Sequence, residues 1–216
     1  MKSRIIKLSA AAVIIIAVFI VIVQLGTNGS SFVWADVAES FDSVPFVHIT
    51  VYIGHDTPGK TKRIEIWKSV DSRVRVDEGN TVFFVDFSKD KNKFTIFDRS
   101  TKKPVNGDEN VPSFIWRLCG NEGRFSLDTL TKNFPSDVKG ITTLETADTA
   151  ASNEIVLFGA KAKEIAPERL KIWAFRRSKL PIRFFVRPDE GYMDLFFDYS
   201  KQKDADFFDP VAFTNQ

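Results

Sequence analysis

The chain has 216 residues, with 30 Lys and Arg against 28 Asp and Glu and a formal net charge of +2. That near balance argues against nucleic acid as a partner, since such a partner calls for a strongly basic face. At 44% hydrophobic and 27% charged residues the composition is that of a folded globular chain, and with Cys119 as the single cysteine no intrachain disulfide can form, nor any structural zinc site that needs two cysteines of one chain.

Residues 1–25 read as a cytoplasmic tip and a transmembrane anchor. Lys2, Arg4 and Lys7 precede an apolar run over residues 8–25 in which Ser9 and Gln24 are the polar residues. The run is about long enough to cross a hydrocarbon core of roughly 30 Å. Positive charge on its amino side places that end in the cytoplasm and the remainder outside. The rival is a cleaved signal peptide, for which Val33-Trp34-Ala35 has small residues at the right spacing. That site lies about ten residues past the run and contains a bulky Trp, so the single-pass reading is preferred. Residues 26–31, Gly-Thr-Asn-Gly-Ser-Ser, form a flexible linker, and residues 32–216 form the extracytoplasmic domain.

The domain opens on an amphipathic helix over residues 32–44. Trp34, Val37, Ala38 and Phe41 fall at i, i+3, i+4 and i+7. Asp36 and Glu39 sit early, where the helix dipole favours them, and Pro45 closes the helix. Strands follow at 46–53, 61–68, 73–77, 81–87 and 94–98, with tight connections at Glu78-Gly79-Asn80 and at 88–93. Short helices are expected at 112–119, with Pro112 at its start and Gly120 past its end, and at 127–134. A hairpin is expected from 138–147 and 153–158.

The end of the chain carries the strongest pattern. Runs at 171–177, 182–187 and 192–199 are rich in aromatic and β-branched residues, and Pro, Gly and Asp fill the gaps, as in an antiparallel meander. Met193, Leu195, Phe197 and Tyr199 share one face; Tyr192, Asp194, Phe196 and Asp198 share the other. The doublets Phe83-Phe84, Phe184-Phe185 and Phe196-Phe197 place large apolar groups on both faces. Both faces must therefore be covered, by helices, a partner or a ligand. With 21 Phe in the chain, two explanations stay open: a thick aromatic core, or a sheet lining a hydrophobic groove.

Catalytic chemistry finds little support. His48 and His55 are the only histidines, too few for a metal site without further converging ligands. No His-Glu-x-x-His, Gly-x-Ser-x-Gly, P-loop or Gly-x-Gly-x-x-Gly pattern occurs. Asp194 and Asp198 are about 13 Å apart along a strand, beyond the spacing of paired glycosidase carboxylates, and read as solvated charges. Cys119 sits in an apolar stretch with Trp116 and Leu118 and reads as an inert thiol. The chain is therefore expected not to be an enzyme, and to use no metal and no cofactor.

Two stretches resemble the LolA-like superfamily of periplasmic lipoprotein carriers and RseB-type envelope-stress regulators. Leu170-Lys171-Ile172-Trp173-Ala174-Phe175 running into Leu180-Pro181-Ile182-Arg183 is similar to that family's Trp-bearing strand, its turn and the next strand. Asp198-Tyr199 with Asp204 to Pro210 is similar to its closing segment, and Trp34-Ala35-Asp36-Val37 to the start of membrane-anchored members. Ala174 stands where an Asp is common and Lys179 where a Gly is common, which bears on the turn.

The resemblance implies a mainly β, α+β fold: a curved antiparallel sheet forming an incomplete barrel with helices across the concave side. It also implies an apolar cavity taking acyl chains. Candidate liners are Trp34, Phe41, Trp173, Phe184 and Phe196. Expected partners are a lipid acyl chain or lipoprotein, with an envelope-stress or anti-sigma regulatory protein as the alternative for a cavity-free module. The cytoplasmic membrane is contacted through residues 8–25.

Overall fold

Ten strands join edge to edge in an antiparallel sheet in which almost every neighbour in space is also a neighbour in sequence. The structure, a computed structural model, describes residues 34–54, 61–69, 71–87, 94–105, 126–127, 141–144, 154–160, 170–187 and 191–215. The strands are β1 (Val47–Gly54), β2 (Lys62–Lys68), β3 (Arg73–Glu78), β4 (Thr81–Asp86), β5 (Phe94–Asp98), β6 (Ile141–Leu144), β7 (Ile155–Ala160), β8 (Leu170–Phe175), β9 (Pro181–Val186) and β10 (Tyr192–Asp198). Their order is β5-β4-β3-β2-β1-β10-β9-β8-β7-β6. One meander runs outward from β1 to β5; the other runs inward from β6 to β10. The β1–β10 pair, with His48 opposite Asp198 and Gly54 opposite Tyr192, joins them.

Alternation decides which residues go inward, because directly paired residues share a face. In β1, Val47, Ile49 and Val51 are fully buried. Their partners on this face are Ile64 and Ile66 in β2 and Leu195 and Phe197 in β10. The row continues through Phe184 in β9 to Ile172 in β8 and Phe158 in β7. On the other flank it continues through Val74 and Val76 to Phe83 and Ile96.

The helix Trp34–Asp42 packs on this apolar face, burying Val37, Ala38 and Phe41. Full burial of a Val or Phe side chain is worth about 1.5–3 kcal/mol, so this stripe, more than helix propensity, holds a nine-residue helix together. Lys68 Nζ donates to the Asp42 and Val44 carbonyls at 3.4 and 3.5 Å. A cation there satisfies carbonyls left open at the helix end and suits its dipole.

The opposite face is covered over β1–β5 by the end of the chain. A 3-10 turn, Ala205–Phe208, is capped by Asp204, which accepts from Phe207 N; a short helix, Pro210–Thr214, is capped by Asp209, which accepts from Val211 N and has Pro at the first position. Phe213 drops into a buried cluster with Val82, Phe84 and Phe97. The segment 204–210, similar to the superfamily's closing segment, thus forms turn and helix start over the second face.

Helix and strand expectations agree to within two residues except for the first hairpin strand, expected over 138–147 and described as Ile141–Leu144; the hairpin pairs as expected, with Thr143 opposite Phe158. The helices expected at 112–119 and 127–134, together with His55, Cys119 and the anchor at 8–25, lie outside the described residues or nearly so; Leu127 alone is described, and it is buried. Among the described residues no helix is long and apolar enough to cross a membrane.

Candidate functional site

The five expected cavity liners divide between the two faces of the sheet. Trp34, Phe41 and Phe184 gather on the helix face. The Trp34 ring meets Phe184 edge-on at 5.7 Å between centroids and Phe158 at 6.1 Å. Phe41 meets Phe197 at 5.8 Å, and Phe197 lies 6.3 Å from Phe184. Phe41, Phe158 and Phe184 are fully buried, whereas Trp34 at the first turn is half-buried. The edge-to-face geometry suits the ring quadrupoles and adds about 0.5–1.5 kcal/mol per pair beyond area burial. Phe158 and Phe197 complete this group. Their signal in the sequence is parity: Phe197 falls on the all-apolar face of its strand.

Trp173 and Phe196 point to the opposite face and so do not share a lining with the other three. Their register shows why. Trp173 pairs with Arg183, and Arg183 pairs with Phe196, which places all three in one cross-strand row. The Arg183 guanidinium lies 4.9 Å from the Trp173 ring centroid and 5.1 Å from that of Phe196. Phe196 is 39% exposed and Phe175, two residues beyond Trp173, is 43% exposed. Trp173 is aromatic but stands on the mixed side of a strand whose buried side is Leu170, Ile172 and Ala174.

Arg183 is held by Asp194 through two parallel bonds, Nε to Oδ1 at 2.8 Å and Nη2 to Oδ2 at 2.7 Å. This fork geometry is the strong form of the ion pair, and it raises the Arg183 pKa further above its already high value. Asp194 is therefore not the solvated charge expected from its strand face: its side chain is 13% exposed. Asp198 accepts from Ser200 Oγ and N and pairs with Lys201 at 3.3 Å; these bonds, led by the Ser200 hydroxyl, hold its carboxyl below the usual range. Among the described residues, the partners of both aspartates are basic or hydroxyl and backbone N–H groups, not a second carboxylate.

His48 is a strand-face histidine. Its ring stacks on Trp67 at 4.9 Å and 10°, and Nε2 bonds to Glu65, which also accepts from Thr50 Oγ1 at 3.1 Å. Lys179 has φ +58°, a left-handed conformation that costs an L side chain about 1 kcal/mol. That explains why a Gly fits this position in the motif it resembles. Its ammonium reaches Asp36 on the first turn of the helix at 3.0 Å. Ala174 is fully buried beside a register shift at Trp173/Ala174, a site with no room for a solvated carboxylate.

No protein-family model matches the chain, and no curated protein is significantly similar to it. Several solved structures are similar in outline. An uncharacterized conserved protein from Thermus thermophilus aligns at 10% identity over 79% of this chain and 88% of its own, with a TM-score of 0.42. A LolA superfamily protein from Nitrosomonas europaea aligns at 9% identity over 82% and 97%, with a TM-score of 0.34. The Pseudomonas aeruginosa MucA/MucB complex aligns at 13% identity over 81% of this chain and 58% of its own, with a TM-score of 0.35. One of these structures is of the superfamily that the carboxy-terminal motif resembles.

Proposed function

We propose that this is an extracytoplasmic binding domain, tethered to the cytoplasmic membrane by residues 8–25, that takes an acyl chain or a lipidated protein between the Trp34–Asp42 helix and the apolar sheet face. The observation that carries the reading is the Trp34, Phe41, Phe158, Phe184 and Phe197 cluster, in which a half-buried Trp at the helix end closes over otherwise buried rings. The work done is desolvation, not bond-making: each methylene removed from water contributes about 0.8 kcal/mol. A helix held by one apolar stripe and by the Asp36–Lys179 and Lys68 contacts at its two ends can shift outward to admit a chain without disturbing a backbone ladder.

The experiment is native mass spectrometry with lipid extraction on the chain from residue 31 onward, expressed in a bacterial periplasm. Co-purified phospholipid or lipopeptide near one per chain supports the reading. An apo mass unchanged by incubation with acyl ligands rejects it. In that case a module that binds a regulatory protein is the better account.

A further inference from the structure

The segment 204–215 is a folded piece in its own right. Asp204 caps its 3-10 turn and Asp209 its short helix. Among the described residues its backbone-to-backbone bonds close within the segment: Phe207 N to Asp204 O, Asp209 N to Asp206 O, Phe213 N to Asp209 O and Asn215 N to Val211 O. Its hold on the sheet is through side chains. Arg73 Nη1 donates to the Ala205 carbonyl at 3.2 Å, and Arg75 Nη1 to that of Phe207 at 3.3 Å. The buried Phe208 meets the Phe46 ring edge-on, and Phe213 fills the socket of Val82, Phe84 and Phe97. Lys102, at φ +57°, sets its ammonium 3.9 Å from the centroid of the Phe213 ring. Arg73 and Arg75 are already paired with Asp71 and Asp77. Two aromatic sockets and two carbonyl bonds, not surplus charge, therefore hold the segment.

The hinge is equally well marked. Tyr199 is pinned by its bond to the Pro181 carbonyl at 2.7 Å, and Asp198 accepts from Ser200 N at 2.9 Å. Residues 200–204 follow, all exposed and outside helix and strand. Undocking past this point breaks side-chain contacts and no strand ladder, so the segment leaves as one unit, as the least stable parts of a fold do.

We propose that these sockets also take the segment from a second copy of the chain, the two copies exchanging segments reciprocally. Fit selects this occupant. A second copy carries the same Phe208 and Phe213 anchors and the same carbonyls, so each contact above is reproduced between copies. The docked arrangements then differ only in the path of the linker and in concentration. Residues 200–204 span about 17 Å at most, and short hinges of this kind favour exchange. Reciprocal exchange closes as a twofold pair and leaves no open socket to recruit a third copy.

The test mixes light and heavy-isotope full chain in one detergent, loosens the segment in mild urea, dilutes, and cross-links amines. The pair read by mass spectrometry is Lys203, which lies over the Phe207 ring, and Lys102, which lies over Phe213. Light-to-heavy links are expected. Their ratio to unmixed links should rise about tenfold for a tenfold rise in protein while the single chain predominates, and be lost in the double variant Phe208→Ser, Phe213→Ser. A second mixture fixes the direction: heavy chain with Arg75→Ala, light chain with the two Phe substitutions. Links from heavy Lys203 to light Lys102 are expected, and the reverse links are not. Unmixed links alone at every concentration of the unaltered chain overturn the proposal. So do mixed links that survive loss of both Phe rings or run equally in both directions, since these mark association through another surface.

Discussion

The Arg75 guanidinium lies 4.2 Å from the centroid of the Phe207 ring, and its Nη1 donates to the Phe207 carbonyl at 3.3 Å. One side chain of an interior strand thus holds a segment 132 residues later. Arg75 also forks onto Asp77 at 2.9 and 3.2 Å and lies over the rings of Trp67, Phe84 and Phe213. Arg75→Ala is expected to cost about 2–3 kcal/mol, since it removes a partly buried ion pair and the cation–π contacts together. Urea unfolding measures the loss, and faster amide exchange over 205–215 shows that it arises from release of the chain end. Arg75→Lys restores the charge but not the fork, and recovers only part of the loss.

Gly54 and Tyr192 are direct partners where the two meanders join. A Cβ on Gly54 would sit 2.7 Å from Tyr192 Oη and closer still to the ring carbons. Gly54→Ala is therefore expected to destabilise by about 1–3 kcal/mol through overpacking. Tyr192→Ser should cancel most of that loss, and a double-mutant cycle in thermal unfolding checks it. Simple additivity of the two losses would show that the ring is not the obstacle.

Phe184 and Phe196 separate the two faces in a single assay. Phe184→Ala should cost about 3–5 kcal/mol as a fully buried ring, and Phe196→Ala about 1 kcal/mol or less because that ring is already part-exposed. Uptake of a fluorescent acyl probe should fall severalfold in Trp34→Ala, at the half-buried end of the helix-face cluster. It should be unchanged in Phe196→Ala, which stands on the far side of the sheet. Loss of uptake in Phe196→Ala with Trp34→Ala intact would reverse the assignment of faces.

Acid and alkali act on different groups. Asp71 is held below the usual carboxylate range chiefly by its bond from Arg73, and Asp98 and Asp198 chiefly by the hydroxyls of Ser100 and Ser200. Each is more acidic folded than unfolded. Its contribution is complete above the unfolded value of about 4 and is lost as pH falls below it. Stability should therefore decline on the acid side, and Asp71→Asn and Asp198→Asn should flatten that limb.

Tyr199 behaves in the opposite sense. Burial pushes its phenol well above the ordinary value, and the hydroxyl donates to the Pro181 carbonyl at 2.7 Å. The unfolded phenol ionises first, so its contribution is complete below about pH 10 and is lost as pH rises past it. Tyr199→Phe should cost about 1 kcal/mol at neutral pH and shallow the alkaline fall in melting temperature.

Parity and turn chemistry by themselves determined the strands, the helix with its Trp34, Val37, Ala38 and Phe41 stripe, and the apolar face of β10, because these depend on spacing within a few residues. At Lys179, which stands where the resembling motif commonly has Gly, the structure has a positive φ. Tertiary structure alone decided which strands pair across roughly 150 residues, as β1 and β10 do, since register is set by two hydrophobic patterns meeting and not by either one. It also decided that Trp173 and Phe196 stand back to back with Phe184. Aromatic character is the same on both faces of a strand; only packing tells which ring meets the helix and which meets an arginine. The closing lid was hidden for the same reason: Phe207, Phe208 and Phe213 name an apolar segment, but the face they cover exists only once Arg75, Trp67 and Phe84 have been brought together.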